Sequence, residues 1–532
     1  MQKINLLDCT LRDGGYVNQW NFEQSTIICI FNRLVNAKMD IIEIGFLDDR
    51  EEFNVNKTIQ PNTKSFDEIF KFCDKKESLV FAMIDYGTCK IENISKCSET
   101  FLDGIRIIFK KPNAKKAIEF GKQLMKKGYK VCFQLVSITA YSDSDILNLV
   151  EMVNEIDTYC VSIVDTYGLL HNEELLHYYR LLNHNLNKSI ILGYHAHNNF
   201  QLAYSNCTEV IKNTKNREIV IDGTVYGMGK SAGNAPLELL AMFLNKTYEE
   251  KYDINQILEI IDTNILKIYN KNYWGYNLLY YLSASNDCHP NYVNYLLSKK
   301  TLAVKSINEI LKNIPRINKL DYNNEIIKNL YTNYQKSILC EETNINDLVN
   351  DIKHRHILVI GPGKSIIEKQ SDIQNYITKY NPIIFSVNFI PEDINCDYLF
   401  ISNSKRYNMM FNDYGILKNT AKIIATSNIT NINKPFDYIL DYEKFLDSEE
   451  MICDNSLIML LNAFISFNIG SVTLAGLDGF SPVGISSYYN EYLELSTDYE
   501  RLTQVNLKIK ERLLEMGERM EILFLTQSLY SK

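Results

Sequence analysis

Proline, net positive charge and long apolar runs are all scarce or absent in this 532-residue sequence. Only 10 prolines beside 46% apolar residues exclude a disordered or fibrous chain. A formal net charge of -9 argues against general polyanion binding, so we expect no nucleic-acid partner. No apolar stretch approaches the roughly 20 residues that cross a bilayer. We therefore expect no membrane span.

The cysteines and the first residues of the sequence both bear on the cellular compartment, and both favour the cytoplasm. The 12 cysteines never occur as Cys-x-x-Cys, and some, such as Cys132, lie inside apolar runs. Residues 1–7 lack the apolar core of a secretory signal. We expect reduced thiols and a cytoplasmic protein.

The first half of the chain has the pattern of repeated βα units. The sequence is too long for one hydrophobic core, so we expect several domains. Eight short apolar runs alternate with segments of helical period up to about residue 245. That number of units at that length matches a closed (β/α)₈ barrel, or TIM barrel. The fold class is therefore α/β, with the barrel at 1–245.

Two further segments follow the barrel. Residues 246–345 keep a helical period and concentrate aromatic side chains between Tyr269 and Tyr281. We interpret them as a helical appendage, which is either a packed face or subunit interface, or a lid over the active site. A strand that ends in a glycine turn then opens a second, smaller Rossmann-like α/β domain at 346–532.

Chemistry in such a barrel is expected at the carboxyl ends of the strands. Arg12 and Asp13 follow strand one. An arginine can bind an anion through two parallel hydrogen bonds, and an aspartate offers a hard oxygen ligand to a divalent cation. His195 and His197 end strand seven, where their i, i+2 spacing points both imidazoles to one side. Two histidines and a carboxylate can hold a divalent metal and leave positions open for substrate.

A glycine-rich segment after strand eight, residues 222–238, completes this set. Asn234 begins the following helix, where it serves either as a helix cap or as a metal contact. The chain also contains an internal control, because His354 and His356 have the same spacing but precede their strand. We predict that this second pair binds no metal.

Together these segments resemble the metal-dependent family that includes hydroxymethylglutaryl-CoA lyase, 4-hydroxy-2-oxovalerate aldolase and the isopropylmalate and homocitrate synthases. The resemblance spans about residues 4–245. It implies metal ligands at Asp13, His195 and His197, a further contact at Asn234, and Mn²⁺ or Mg²⁺ as the cofactor.

The resemblance also implies the remaining roles. Arg12 would hold an enolate oxygen, and Glu43 in strand two would orient Arg12 or the substrate. The run 227–238 is closest to the 4-hydroxy-2-oxoacid aldolases, which place a histidine base where this chain has Tyr16. Tyr16 or a metal-bound water is then the candidate base. The implied activity is an oxo-acid lyase that cleaves a 4-hydroxy-2-oxo acid into pyruvate and an aldehyde, or joins the two.

Two other hypotheses stay open. A Claisen-type acyl-CoA condensing enzyme is the first, although the synthases usually carry a Glu-Gln pair where this chain has Gly15 and Tyr16. The second is a non-catalytic barrel fused to a nucleotide- or glycan-binding domain, which the loss of the histidine base at Tyr16 supports. The presence of all three implied metal ligands, Asp13, His195 and His197, argues against a non-catalytic barrel.

The turn of the second domain lacks P-loop spacing. Together with 386–388 and 474–480 it looks similar to bacterial sialyltransferase-like, nucleotide-binding domains. That resemblance implies a nucleotide or nucleotide-sugar partner, with Gly361, Gly363 and Ser365 near a phosphate and Asp478 at a strand end beside the ligand. An inert glycine turn is the alternative. We also expect a multifunctional homo-oligomer.

Overall fold

The computed structural model describes residues 3–299, 302–336, 345–410, 421–429, 436–449, 451–481, 487–490 and 499–531. The chain divides into two compact units, Met1–Pro290 and Asn291–Lys532. The expected boundaries near residues 245 and 345 fall inside these units. The three-domain division therefore stays a prediction, and each unit is described by itself.

The first unit is a closed barrel of eight parallel strands. Strand β1 pairs with both β2 and β9, which closes the ring in the order β1-β9-β8-β7-β6-β5-β4-β2, and a two-residue strand β3 extends it beside β2. The predicted TIM barrel is confirmed. The strands are β1 Ile4–Asp8, β2 Ile41–Leu47, β3 Ile59–Gln60, β4 Leu79–Asp85, β5 Gly104–Phe109, β6 Lys130–Leu135, β7 Cys160–Asp165, β8 Ile191–Ala196 and β9 Ile219–Gly223.

Helices surround the barrel because each one carries an apolar stripe. In the helix over Asp143–Ile156, Ile146, Leu149, Val150 and Val153 are buried at helical spacing, and Ser142 caps its start. The helices of this unit are α1 Thr10–Asp13, α2 Gly15–Asn18, α3 Gln24–Asn36, α4 Thr63–Phe70, α5 Ala114–Lys126, α6 Asp143–Ile156, α7 Asn172–Asn185, α8 Ala203–Asn213, α9 Leu237–Thr247, α10 Ile254–Ile260, α11 Leu266–Tyr269 and α12 Leu278–Ser285. A π-helical turn, Ile261–Ile265, joins α10 to α11.

The second unit contains a parallel sheet of seven strands, which confirms the predicted second α/β fold. Its order is β14-β13-β12-β11-β10-β15-β16. The strands are β10 Ile357–Ile360, β11 Ile383–Val387, β12 Tyr398–Ile401, β13 Lys422–Thr426, β14 Tyr438–Leu440, β15 Ser471–Ala475 and β16 Glu521–Phe524. Its core lies between the sheet and the buried helix over Ser456–Ser466.

The predicted helical character of the segment after the barrel is also confirmed. Between α9 and β10 the described residues form helices and turns without a strand. The remaining helices are α13 Pro290–Ser298, α14 Val304–Lys312, α15 Asn324–Lys336, α16 Ile345–Ile352, α17 Ser365–Glu368, α18 Gln370–Tyr380, α19 Ser404–Asn408, α20 Ser456–Ser466 and α21 Tyr499–Met516. Among the described residues, no helix has both the length and the apolar character that a membrane crossing requires.

Candidate metal centre

The barrel brings three distant ligands to one point at the carboxyl ends of its strands. Asp13 ends the short helix α1, which follows β1 after a single residue, while His195 lies near the end of β8 and His197 directly after it. All three side chains are buried. One ligand atom from each lies within 4.8 Å of the other two. The residues predicted as metal ligands are therefore adjacent in space.

The two imidazoles are fixed in the orientation that metal binding requires. His195 Nδ1 lies 3.0 Å from Asp222 Oδ2, and His197 Nδ1 lies 3.1 Å from the carbonyl oxygen of Lys230. Since a carbonyl and a carboxylate only accept, each Nδ1 donates, which leaves Nε2 as the ring atom that can bind a metal. A carboxylate or carbonyl behind a histidine commonly orients a ligand in this way.

The charges at the centre favour the ligating forms. Burial would raise the pKa of Asp13, but Arg12 and the two imidazoles hold the pKa of this carboxyl well below its usual range. Burial lowers the pKa of His197 to about 3, against the opposing charge of Asp13. At neutral pH the site therefore offers a carboxylate and a neutral imidazole, which are the forms that bind metal.

Asn234 lies directly beside this set. Its Nδ2 atom donates to Asp13 Oδ2 at 2.6 Å, whereas its Oδ1 atom is buried and has no hydrogen-bond partner within the described ranges. Gly229 permits this approach, because a Cβ atom there would lie 2.1 Å from Asn234 Nδ2 and 2.5 Å from Asp13 Oδ2. Two imidazole nitrogens and carboxylate and amide oxygens suit a divalent ion with open positions. The residues present therefore fit a metal.

A second group of ligand types, formed by Cys9, His195 and Asp222, fits less well. Burial raises the pKa of the Cys9 thiol well above its usual value, which disfavours the thiolate that binds metal. Within this group His195 Nδ1 already bonds to Asp222 Oδ2, so the imidazole and the carboxylate hold each other. The group around Asp13 is therefore the better candidate.

Arg12 lies beside the ligands and is anchored by two carboxylates. Its Nε atom donates to Glu43 Oε2 at 2.7 Å, and its Nη1 atom donates to Asp13 Oδ1 at 2.5 Å. Burial alone would lower the pKa of Arg12, but these two carboxylates hold it well above its usual value. Glu43 thus contacts Arg12 directly, while its role in orienting Arg12 or the substrate stays a prediction.

Sequence reasoning missed a buried layer of charged side chains behind these residues, in which Arg106 bonds to Glu43 and Asp222. Arg106, in β5, donates from Nη1 to Glu43 Oε2 at 3.0 Å and from Nη2 to Asp222 Oδ2 and Gln134 Oε1. Arg106 is 2% exposed. It therefore links the carboxylate behind Arg12 to the carboxylate behind His195. The available signal was a charged residue inside the otherwise apolar runs of β5 and β9.

This layer predicts a large cost for Arg106→Met. The substitution leaves Glu43 and Asp222 buried without their shared cation, so we expect the free energy of unfolding to fall by about 3–5 kcal/mol. Chemical denaturation followed by circular dichroism measures it. Arg33→Met is the matched control, since its ion pair with Glu259 is partly exposed and worth less than about 1 kcal/mol. Equal losses in the two variants would contradict a linking role for Arg106.

Tyr16 lies at the mouth of the barrel among aromatic and cationic groups. Its ring centroid lies 4.7 Å from that of Trp20, and Lys230 Nζ lies 5.3 Å from the Tyr16 centroid. The residue is two-fifths exposed, yet removal of the phenol from bulk water, and then the charge of Asp13, raise the pKa of Tyr16 to about 12. Tyr16 is therefore a neutral phenol at physiological pH.

Lys230 was also missed, and its backbone holds two ligands at once. Its N–H donates to Asp13 Oδ2 at 3.2 Å, and its carbonyl oxygen accepts from His197. Trp274 packs behind the same loop, where its Nε1 atom donates to the carbonyl oxygen of Tyr226 at 3.1 Å. The aromatic segment thus supports the glycine-rich loop, while its role as lid or interface stays a prediction.

The residues of the second unit that were predicted to bind a nucleotide are adjacent, but Ser365 and Asp478 bond to each other. Asp478 Oδ2 accepts from the Ser365 N–H at 2.8 Å, and Asp478 Oδ1 accepts from Ser365 Oγ. A Cβ atom at Gly363 would lie 2.5 Å from Asp478 Cγ, and one at Gly361 would lie 2.6 Å from the Gly476 carbonyl oxygen. The glycines therefore let two loops pack closely, and a phosphate contact at these residues stays a prediction.

Known proteins resemble the barrel half of the chain. Residues 3–263 match the family described as HMGL-like. A 4-hydroxy-2-oxovalerate aldolase of Bacillus cereus is 23% identical over 268 residues, which cover 49% of this chain and 76% of that protein. An oxaloacetate decarboxylase of Mycobacterium tuberculosis is 24% identical over 264 residues, which cover 49% of this chain and 76% of that protein.

A solved structure of HMG-CoA lyase from Brucella melitensis covers 49% of this chain and 96% of its own at 14% identity, with a TM-score of 0.39. The sialyltransferase-like resemblance of the second unit stays a prediction. For the barrel, the family predicted from the Arg-Asp, His-x-His and glycine-rich segments is confirmed. Residues 3–263, just under half of this chain, match the HMGL-like family.

Proposed function

We propose that this protein is a divalent-metal-dependent aldolase that cleaves or forms a carbon–carbon bond of a 4-hydroxy-2-oxo acid. The two halves of the substrate would be a pyruvate enolate and an aldehyde. The observation that carries the proposal is a guanidinium, that of Arg12, anchored beside three converging ligand atoms. Similarity to curated 4-hydroxy-2-oxovalerate aldolases supports the choice of substrate class.

Asp13, His195 and His197 would hold the ion, and the family resemblance implies a further contact from Asn234, whose Oδ1 atom has no hydrogen-bond partner among the described residues. When bound, a divalent ion supplies Lewis-acid polarisation to the carboxylate and keto oxygens of an oxo acid. The family resemblance favours Mn²⁺ or Mg²⁺. Glu43 would position Arg12, and Asp222 would position His195, each through a hydrogen bond.

Arg12 would bind the oxygen on which negative charge develops. Two of its donors are held by Glu43 and Asp13, and its Nη2 atom donates to no acceptor among the described residues. A fixed cation of this kind stabilises an enolate without reorganising during the reaction. The buried position of Arg12 strengthens the interaction, because water screens it less.

Tyr16 would handle the proton of the 4-hydroxyl group. As a neutral phenol it can donate a proton to the oxygen that becomes the alcohol when the bond forms. Cleavage runs through the phenolate form of Tyr16, because only the deprotonated phenolic oxygen can take the proton of the 4-hydroxyl group. Lys230 Nζ over the ring would favour the negative charge that this second role requires.

The test is pyruvate release from a panel of 4-hydroxy-2-oxo acids, coupled to lactate dehydrogenase, with Mn²⁺ or Mg²⁺. We expect metal-dependent release by the wild type and background rates for Asp13→Asn, because the amide removes the anionic ligand. Asp143→Asn is the matched control, since Asp143 is exposed on α6, where it pairs with the exposed His177.

Each other outcome identifies a different reaction. Release from oxaloacetate alone would replace the aldolase with a decarboxylase, and thiol release from acetyl-CoA with a 2-oxo acid would favour the condensing enzyme. No turnover of any of these substrates, with metal bound, would favour the non-catalytic barrel. Equal rates for wild type and Asp13→Asn would contradict the proposed site.

A further inference from the structure

The parallel sheet of the second unit has a cavity at the carboxyl ends of its strands. Its volume is about 290 Å³, and the loops after β10, β11, β12 and β15 line it. Strand β10 lies between β11 and β15, so the chain leaves it toward one edge of the sheet and returns on the other side. In open parallel α/β sheets, ligands bind in the crevice at such a switch point. The fold therefore places this cavity where a ligand is expected.

The glycine turn on the rim of this cavity already carries a negative charge. Asp478 accepts from the backbone N–H and the hydroxyl of Ser365, so its carboxylate takes the position that a phosphate would take at this turn. Helix α17, which follows the turn, has only four residues. A second anion at the turn would meet Asp478 at close range, which is unfavourable. An anionic group in the cavity must therefore bind to another wall.

The lining of the cavity contains more cations than anions. Lys299, Arg406 and Arg501 contribute positive charge, against the carboxylates of Asp454 and Asp478. Both carboxylates accept hydrogen bonds from within the unit, and Asp454 does so from the hydroxyl of Tyr331 at 3.2 Å. Arg406 is 6% exposed. The guanidinium of a buried arginine is well suited to a phosphate, whose oxygens match its forked donors.

Polar and aromatic side chains complete the cavity. Helix α20, eleven residues long, begins in its wall at Ser456, whose Oγ accepts from Asn388 Nδ2 at 2.5 Å and from Ser402 Oγ at 2.7 Å. The partial positive charge of this helix start adds to that of the cations. Phe480 and Tyr488 also line the cavity, and Arg406 Cζ lies 5.3 Å from the ring centroid of Tyr488.

We propose that this cavity binds a single nucleotide, with its phosphate held by Arg406 and Lys299 and not by the glycine turn. Aromatic faces, cations and amide groups in one pocket match the three parts of a nucleotide: base, phosphate and sugar. The volume of about 290 Å³ lies just below the usual range for ligand sites, about 300–1,000 Å³, so the cavity suits one nucleotide and not a dinucleotide. The site is independent of the proposed aldolase activity.

The test is calorimetric titration of the full chain with nucleoside mono- and diphosphates of each base, and with inorganic phosphate as the reference anion. Two lysines allow a matched comparison, because Lys299 lines the cavity whereas Lys364 belongs to the glycine turn and lies outside the lining. We expect Lys299→Gln to weaken binding of the preferred nucleotide about tenfold, through loss of a charge-assisted contact. Lys364→Gln should bind within about twofold of the wild type. Arg406→Gln should bind none.

Three results would overturn the proposal. They are no binding by any nucleotide, binding of inorganic phosphate as tight as that of the nucleotides, and weaker binding in Lys364→Gln but not in Lys299→Gln. The third result would indicate that the phosphate binds at the glycine turn. Circular dichroism checks that Arg406→Gln is folded. If that variant is unfolded, the comparison of Lys299→Gln with Lys364→Gln still tests the proposal. Pyruvate release measured without nucleotide separates failure here from failure of the aldolase proposal.

Discussion

Replacing His195 and His197 together by glutamine is expected to abolish divalent-metal binding and to reduce metal-dependent turnover to background. These residues supply two of the three ligand atoms that converge at the barrel mouth. Glutamine keeps a polar side chain of similar length but offers a weak carbonyl oxygen in place of a neutral imidazole nitrogen. A single remaining carboxylate, that of Asp13, would not retain an ion through dialysis.

Metal content after dialysis, measured by inductively coupled plasma mass spectrometry, gives the result directly. The chain provides a control of identical spacing in His354 and His356. Neither residue belongs to a metal-type group among the described residues, and the ring of His356 lies 5.2 Å from that of Tyr380. The double glutamine variant at these positions should bind metal as the wild type does. Equal metal loss in both double variants would show that the ion binds elsewhere.

The barrel was predictable because its signals are local. The observed strands differ by at most two residues at either end from the apolar runs that predict them, since a buried parallel strand is a short apolar run between turns. Those runs are residues 4–9, 40–46, 79–85, 104–109, 130–136, 158–164, 190–195 and 219–224. The ligand residues were predictable for a related reason. The carboxyl ends of all eight strands meet at one face of a barrel, so a position within a strand is also a position in space.

The layer behind the ligands could not be predicted in the same way. Arg106 and Asp222 lie 116 residues apart, and nothing in either segment alone says that their side chains meet in the barrel interior. The same holds for Ser365 and Asp478, 113 residues apart, since neither segment alone indicates that they bond to each other. A single sequence indicates which segments carry polar groups, but their pairing depends on the register of distant strands.

Arg12→Lys is expected to lower kcat for pyruvate release by about 10²- to 10³-fold while the protein still binds its metal. Arg12 holds Glu43 with Nε and Asp13 with Nη1, and a third donor remains for the substrate. Lysine carries one ammonium group, which cannot contact both carboxylates and an enolate oxygen in this planar arrangement. The loss should therefore appear in kcat, because the enolate charge develops only during the reaction.

Metal content distinguishes this role from a merely structural one. If Arg12 served only to hold Asp13, Arg12→Lys would lose metal together with activity, and excess Mn²⁺ would restore turnover. Retained metal with a reduced kcat would instead assign Arg12 to the enolate. Arg50→Lys is the matched control, since Arg50 is exposed and pairs with Asp48, and it should leave both kcat and metal content unchanged. An equal fall in kcat for Arg50→Lys would contradict a specific function for the Arg12 guanidinium.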